Sequence, residues 1–203
     1  MIIPTFSDKD YIGINGVGIQ QLIHPHFQEW FRFIISEYEP PKPPKIGIFI
    51  PCAAIKPFFN SPIHRTFNKI VDKYPTHKLV ISNAGIIPYD FVSLYPFDSY
   101  DWNHYHETSE IKDIYMQITA ERLIAFFNIH SVKYKCFTSY LAPDSEDFIA
   151  LETASQITGV NIAHVDVTNH KLSNSKDYDL VLIFEDNLKS LDKQLKELHH
   201  YYS

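Results

Sequence analysis

From residue 46 onward, short apolar runs alternate with segments whose apolar positions recur every three or four residues. IGIFIP (46–51) and HKLVIS (77–82) read as buried strands, and between them PIHRTFNKIVDKY (62–74) reads as a helix with proline in its first turn. SEIKDIYMQITAERLIAFFNIH (109–130) is the longest helical pattern, with Ser109 placed as its N-cap. KYKCFTSYLA (133–142) follows as a strand and DSEDFIALETASQITG (144–159) as a helix stopped by Gly159. VNIAHVDVT (160–168) and DYDLVLIFED (177–186) read as two more strands, and NLKSLDKQLKELHHYY (187–202) as a closing helix. Strands alternating with helices predict an α/β fold of three layers, a mostly parallel sheet with helices on both faces. Upstream, HPHFQEWFRFIISEYE (24–39) sets Phe27, Trp30, Phe31 and Ile34 at helical spacing, and the prolines of EPPKPPK (39–45) end that helix in a stiff connector. The chain therefore divides into an N-terminal helical extension with a proline-rich connector (1–45) and an α/β domain (46–203). Residues 83–108 form a long irregular stretch, rich in aromatics, of the kind that carries function.

Composition narrows the chemistry. With 203 residues and 45% hydrophobic content the chain can bury one substantial core, and a net charge of -6 argues against gripping nucleic acid by global electrostatics. Two cysteines, with no signal peptide and no membrane-length apolar run, point to a reduced, cytoplasmic protein without a membrane partner. GINGVG (13–18) lacks the strand–turn–helix context of a dinucleotide loop, and neither a GxSxG elbow nor a P-loop is present, so no cofactor is expected. HPH (24–26), HYH (104–106) and HH (199–200) lack the spacing and the cysteines of a zinc site, so no metal is expected. Cys136 alternates with large apolar residues and reads as core.

The stretch PCAAIKPFFNSPIH (51–64) stands apart, because it follows the first strand, where α/β sheets bind ligands at the carboxyl ends of their strands. Cys52 falls at the strand's end, Lys56 in the loop, Ser61 at the N-cap of the next helix and His64 in its first turn. A helix N-terminus, a lysine and an imidazole each favour thiolate over thiol, which makes Cys52 a candidate nucleophile that should alkylate faster than an ordinary thiol. The competing reading is a buried structural thiol, a solvated lysine, a serine cap and a surface histidine.

The spacing resembles the signature of the archaeosine synthase family, PC-X3-KPY-X2-S-X2-H. Pro51, Cys52, Lys56, Pro57, Ser61 and His64 match it, and Phe58 stands where the family has tyrosine. A second stretch, SNAGIIPYDFVSLYPFDSYDW (82–102), is similar to the family segment that follows the next strand. The resemblance covers roughly residues 46–130.

It implies a domain similar to the uracil-DNA glycosylase fold that acts on tRNA bearing preQ0, a 7-cyano-7-deazaguanine, and adds lysine across the nitrile. It also implies a site of Cys52 as nucleophile, His64 as proton carrier and Lys56 as stabiliser of charge. Pro57, Phe58, Ser61, Gly85, Pro88, Asp90, Tyr95 and Asp101 would shape the substrate pocket, with Tyr89, Tyr95 and Trp102 as stacking faces. Two departures follow: Phe58 lacks the tyrosine hydroxyl, and the chain is too short for the family's transglycosylase-like and PUA domains. Substrate tRNA would then be held by a partner protein or by this domain's own surface, and the acidic balance favours a partner. The alternative is a non-catalytic subunit that binds tRNA or the modified base beside a separate enzyme.

Overall fold

All six residues of strand β1 (Ile46–Pro51) are buried, as an unbroken apolar run requires of a strand covered on both faces. The computed structural model describes residues 3–6, 13–43, 45–168 and 178–203. In it β1 pairs in parallel with β2 (Thr76–Ser82) and with a later strand at Cys136–Ser139. The turn after β2 leads straight into β3 (Gly85–Pro88), which pairs antiparallel with it; the strand at Cys136–Ser139 is β4, and β5 (Ile162–His164) pairs parallel with that. The sheet order is β3-β2-β1-β4-β5.

Six α-helices are described: α1 (Ile19–Leu22), α2 (Pro25–Ser36), α3 (Pro62–Val71), α4 (Ser109–His130), α5 (Glu146–Thr158) and α6 (Glu185–Tyr202). Helix α4 packs against α2 and α5, and α3 against α6, which makes the two helical layers around a mostly parallel sheet. This is the predicted three-layer α/β architecture. No helix among the described residues is long and apolar enough to cross a membrane.

Close packing on β1 depends on Gly47. A Cβ there would lie 2.6 Å from the Phe137 ring and 3.2 Å from that of Tyr134. Without it, Phe137 lies against the strand and stacks on Phe49 at 5.6 Å between centroids.

Three expectations need correction. The run at 177–186, expected as a strand, is a 3-10 segment over Tyr178–Ile183 that leads into α6. A short apolar run signals burial equally for strand and helix, and here Val181 and Leu182 are buried while Tyr140 donates its hydroxyl proton to the Leu182 carbonyl. Strand β3, unrecognised in the irregular stretch, is only four residues long; its hairpin turn is closed by Ser82 Oγ accepting from the Ala84 amide, with Gly85 at φ 128°. The cap of α4 is Thr108, whose hydroxyl accepts from the Ile111 amide, one residue before the expected Ser109.

The change of pattern at residue 45 does not divide the core. Phe27, Trp30, Phe33 and Ile34 of α2 join the same buried cluster as β1, β2 and α4, with Phe33 in place of the expected Phe31. Trp30 Nε1 donates to the Tyr95 carbonyl at 2.9 Å and its ring meets Phe91 and Phe97. Trp30→Ala is therefore expected to lower stability by about 3–5 kcal/mol in denaturant unfolding; a loss under about 1 kcal/mol would mean that α2 is an appendage.

Candidate active site at the carboxyl ends of strands β1 and β4

Strand β1 connects through α3 toward β2, whereas β4 connects through α5 toward β5, so the strand order diverges between them. Such a divergence opens a crevice at the carboxyl ends of the strands. A cavity of about 380 Å³ lies there, a volume in the range of small-molecule sites. Its walls are the loop Cys52–Lys56, Ser61 at the start of α3, Asn83 from the β2–β3 turn, Trp102 with His104 and Glu107, Lys112 and Tyr115 of α4, and Ser145, Glu146 and Asp147 at the start of α5. Asp179, Leu180 and Ile183 close one side.

Cys52, Lys56 and Ser61 thus share one cavity. Ser61 takes the N-cap position of α3 without a side-chain cap bond. Lys56 lies 3.9 Å above the centroid of the Tyr100 ring, a cation–π contact that fixes its amine. Burial lowers the Lys56 pKa, against the opposing pull of Cys52 and Asp101.

Electrostatics around the thiol run opposite to the expectation. Cys52 keeps part of its surface open to the cavity but is otherwise enclosed by protein, and burial together with the Asp147 carboxylate pushes its pKa up to about 12. Asp179 and Glu107 act in the same direction, and only Lys56 opposes them. Cys52 therefore rests as a neutral thiol. The Tyr100 hydroxyl is bonded to Ser82 Oγ at 2.5 Å, and burial together with the nearby thiol holds its pKa well above the ordinary value.

His64 does not reach the cavity. Its fully buried ring is sandwiched between Phe58 and Tyr89, with centroids at 5.6 and 5.8 Å and interplanar angles of 20° and 19°. Nε2 donates to the Pro51 carbonyl at 3.0 Å, and Nδ1 accepts from the Tyr89 hydroxyl at 3.3 Å. Tyr89 in turn accepts from Asn68 at 2.8 Å. Burial pulls the His64 pKa down to about 4, so the ring is neutral and ties the end of β1 to α3 immediately before Cys52.

The remaining predicted residues separate. Pro57, whose peptide bond to Lys56 is cis, and Phe58, fully buried against His64, support the loop from behind. Gly85 opens β3, and Pro88 pairs with Leu79 well back along β2. Asp90 lies beyond Pro88 at the amino-terminal end of the sheet, 3.7 Å from His77, which holds its carboxyl below the ordinary range. The Tyr95 hydroxyl meets His26 Nδ1 at 2.7 Å beside α2. Asp101 is exposed, and its amide donates to the Ile14 carbonyl at 2.9 Å. None of these seven lines the cavity; for Pro88 and Asp90 the reason is the antiparallel return of β3, which runs back along β2 away from Cys52. Trp102 does line it, with Nε1 donating to Glu107.

Sequence reasoning missed Asp147 and Tyr115, which lie on the cavity wall and hydrogen-bond each other, Tyr115 donating. Burial raises the Asp147 pKa to about 7. It also missed buried Arg122, which donates to the carbonyls of Leu22 at 2.6 Å and Asn83 at 3.3 Å and so fixes the turn that carries Asn83 into the cavity.

The fold and the cavity define an α/β protein with a cysteine-bearing pocket at its strand ends. A family model described as a domain of unknown function, DUF5591, matches residues 27–198, and the chain belongs to that family. The match begins inside α2, in keeping with the continuous core. The crystal structure of AF0587, a protein of unknown function, is similar with a TM-score of 0.54 at 14% identity, over 82% of this chain and 49% of that one. The chain thus spans about half the length of that protein. No curated protein matches the sequence.

Two predictions follow from the electrostatics. With Cys136 replaced by alanine to leave one thiol, Cys52 should react with iodoacetamide near neutral pH at least about 100-fold more slowly than a free thiol; a rate above the free thiol's would contradict the neutral resting state. His64 has its folded pKa below the unfolded 6.5, so its stabilisation is complete above that value and is lost as pH falls toward about 4. The loss amounts to about 3 kcal/mol, and His64→Gln should remove that part of the pH dependence in urea unfolding.

Proposed function

We propose that this protein modifies tRNA by adding an amine, lysine being the expected donor, to the nitrile of preQ0, as in archaeosine formation. The observation that carries this reading is the convergence of Cys52, Lys56 and Ser61 of the PC-X3-KPX-X2-S-X2-H motif on one cavity, which Trp102 also lines. A nitrile is a modest electrophile, and a cysteine divides its conversion to an amidine into two easier steps. Sulfur adds to the nitrile carbon to give a thioimidate, and the amine then displaces sulfur from that carbon.

The cavity supports each part. Lys56 stands beside the thiol, where an ammonium group stabilises negative charge growing on sulfur or on the imidate nitrogen. Trp102 offers an indole face for the deazaguanine ring. Glu107, Glu146 and Asp179 make the cavity acidic and so favour entry of a cationic amine. Phe58, in place of the family tyrosine, is fully buried and would do no more than support His64.

The test is a nucleoside mass spectrum after incubation of preQ0-containing tRNA with lysine and the purified protein. The lysine adduct should appear with the wild type and vanish with Cys52→Ala, while tRNA binding changes little. Turnover by Cys52→Ala would overturn the nucleophile, and absence of adduct with every candidate partner would favour the non-catalytic binding subunit.

A further inference from the structure

Adding a thiol to a nitrile moves one proton from sulfur to nitrogen, and a neutral Cys52 needs a partner to carry it. The motif nominates His64, but that ring faces the Pro51 carbonyl and is closed in by Phe58 and Tyr89. Asp147 is better placed. It projects from the first turn of α5 into the cavity that holds Cys52, and its charge is the largest single electrostatic influence on the thiol. Tyr115, from the facing helix α4, donates to its carboxylate and orients it.

We propose that Asp147 is the proton carrier of this site, its carboxylate taking the proton from Cys52 Sγ as sulfur attacks and returning it to the nitrile nitrogen. The assignment rests on the nitrile reading above. In the first step a C–S bond forms, one C–N π bond breaks, and the thiol proton ends on nitrogen. In the second, the amine nitrogen bonds to the same carbon, the C–S bond breaks, and a proton from the amine returns to sulfur through the same carboxyl. Nothing is oxidised or reduced, and the cysteine is regenerated.

The surroundings suit a group that must both accept and give a proton. A helix N-terminus ordinarily favours the carboxylate, and so does the Tyr115 hydrogen bond, but burial outweighs both. Cys52 and Lys56 face Asp147 from the β1 loop, Glu107 from the loop before α4, Tyr115 and Lys112 from α4, Asp179 from the 3-10 segment, and Glu146 is its neighbour. Lys112 pairs with Glu107 and Glu146, and Asp147 accepts from Tyr115. With its pKa near 7, Asp147 holds both protonation states at neutral pH, where a carrier works best.

The experiment measures adduct formation without any amine present. The full chain carrying Cys136→Ala is mixed with preQ0-tRNA across pH 5–9, quenched, treated with nuclease and weighed intact. The wild-type rate should rise through about pH 7 as Asp147 ionises. Asp147→Asn should slow it by roughly 100- to 10,000-fold, yet speed alkylation of Cys52 by iodoacetamide, since a negative neighbour has gone. Tyr115→Phe should keep the adduct but move the rise to higher pH, because the carboxylate loses a donor; this variant decides the matter if Asp147→Asn does not fold. An Asp147→Asn rate within threefold of wild type, or an unshifted Tyr115→Phe profile, overturns Asp147 and leaves the nitrile reading standing. No adduct with wild type at any pH, alone or with each candidate partner, overturns both.

Discussion

The hydrogen bond from His64 Nε2 to the Pro51 carbonyl is the constraint on which the site depends. Strand β1 is buried along its whole length and ends in a proline, so its last carbonyl needs a partner within the protein. His64 supplies it from the first turn of α3, and Phe58 and Tyr89 hold the imidazole flat between them. The clamp ties the loop of residues 52–61 at both ends. Within it Cys52 and Lys56 turn into the cavity, while Phe58 turns inward. A histidine that the family resemblance casts as a proton carrier serves as the fastening of the nucleophile's strand.

The thiol's neutrality also shapes the chemistry. A cysteine surrounded by Asp147, Asp179 and Glu107 is poorly suited to reactions that begin with a free thiolate. Adding S–H across a C≡N bond, by contrast, requires no net loss of a proton. The proposed reaction is therefore compatible with the electrostatic setting, provided that a local base moves the proton within the cavity. Lys56 moderates the cost of charge on sulfur.

Much of the fold was legible because periodicity reports burial. The unbroken run IGIFIP marked the central strand, and the long helical pattern of 109–130 marked α4 to within a residue of its cap. The misreadings came where burial and conformation part: Tyr178–Ile183 is apolar but 3-10, and β3 is too short to show a period. At the site, the motif's tight local spacing exposed Cys52, Lys56 and Ser61. Asp147 was hidden because an acidic first turn is what helix N-termini commonly carry. Tyr115 was hidden in an ordinary helical pattern, and only the packing of α4 on α5 brings the two together. Asp90, Tyr95 and Pro88 looked close because their stretch follows a strand end, but the antiparallel return of β3 takes them elsewhere.

The central claim is that Cys52 meets a nitrile carbon in this cavity. Carbon-13 NMR of preQ0-tRNA labelled at that carbon, mixed with excess protein and no amine, addresses it most directly. The account predicts loss of the nitrile resonance and appearance of an imidate resonance that is absent with Cys52→Ala. A nitrile resonance unchanged by saturating wild-type protein would contradict it.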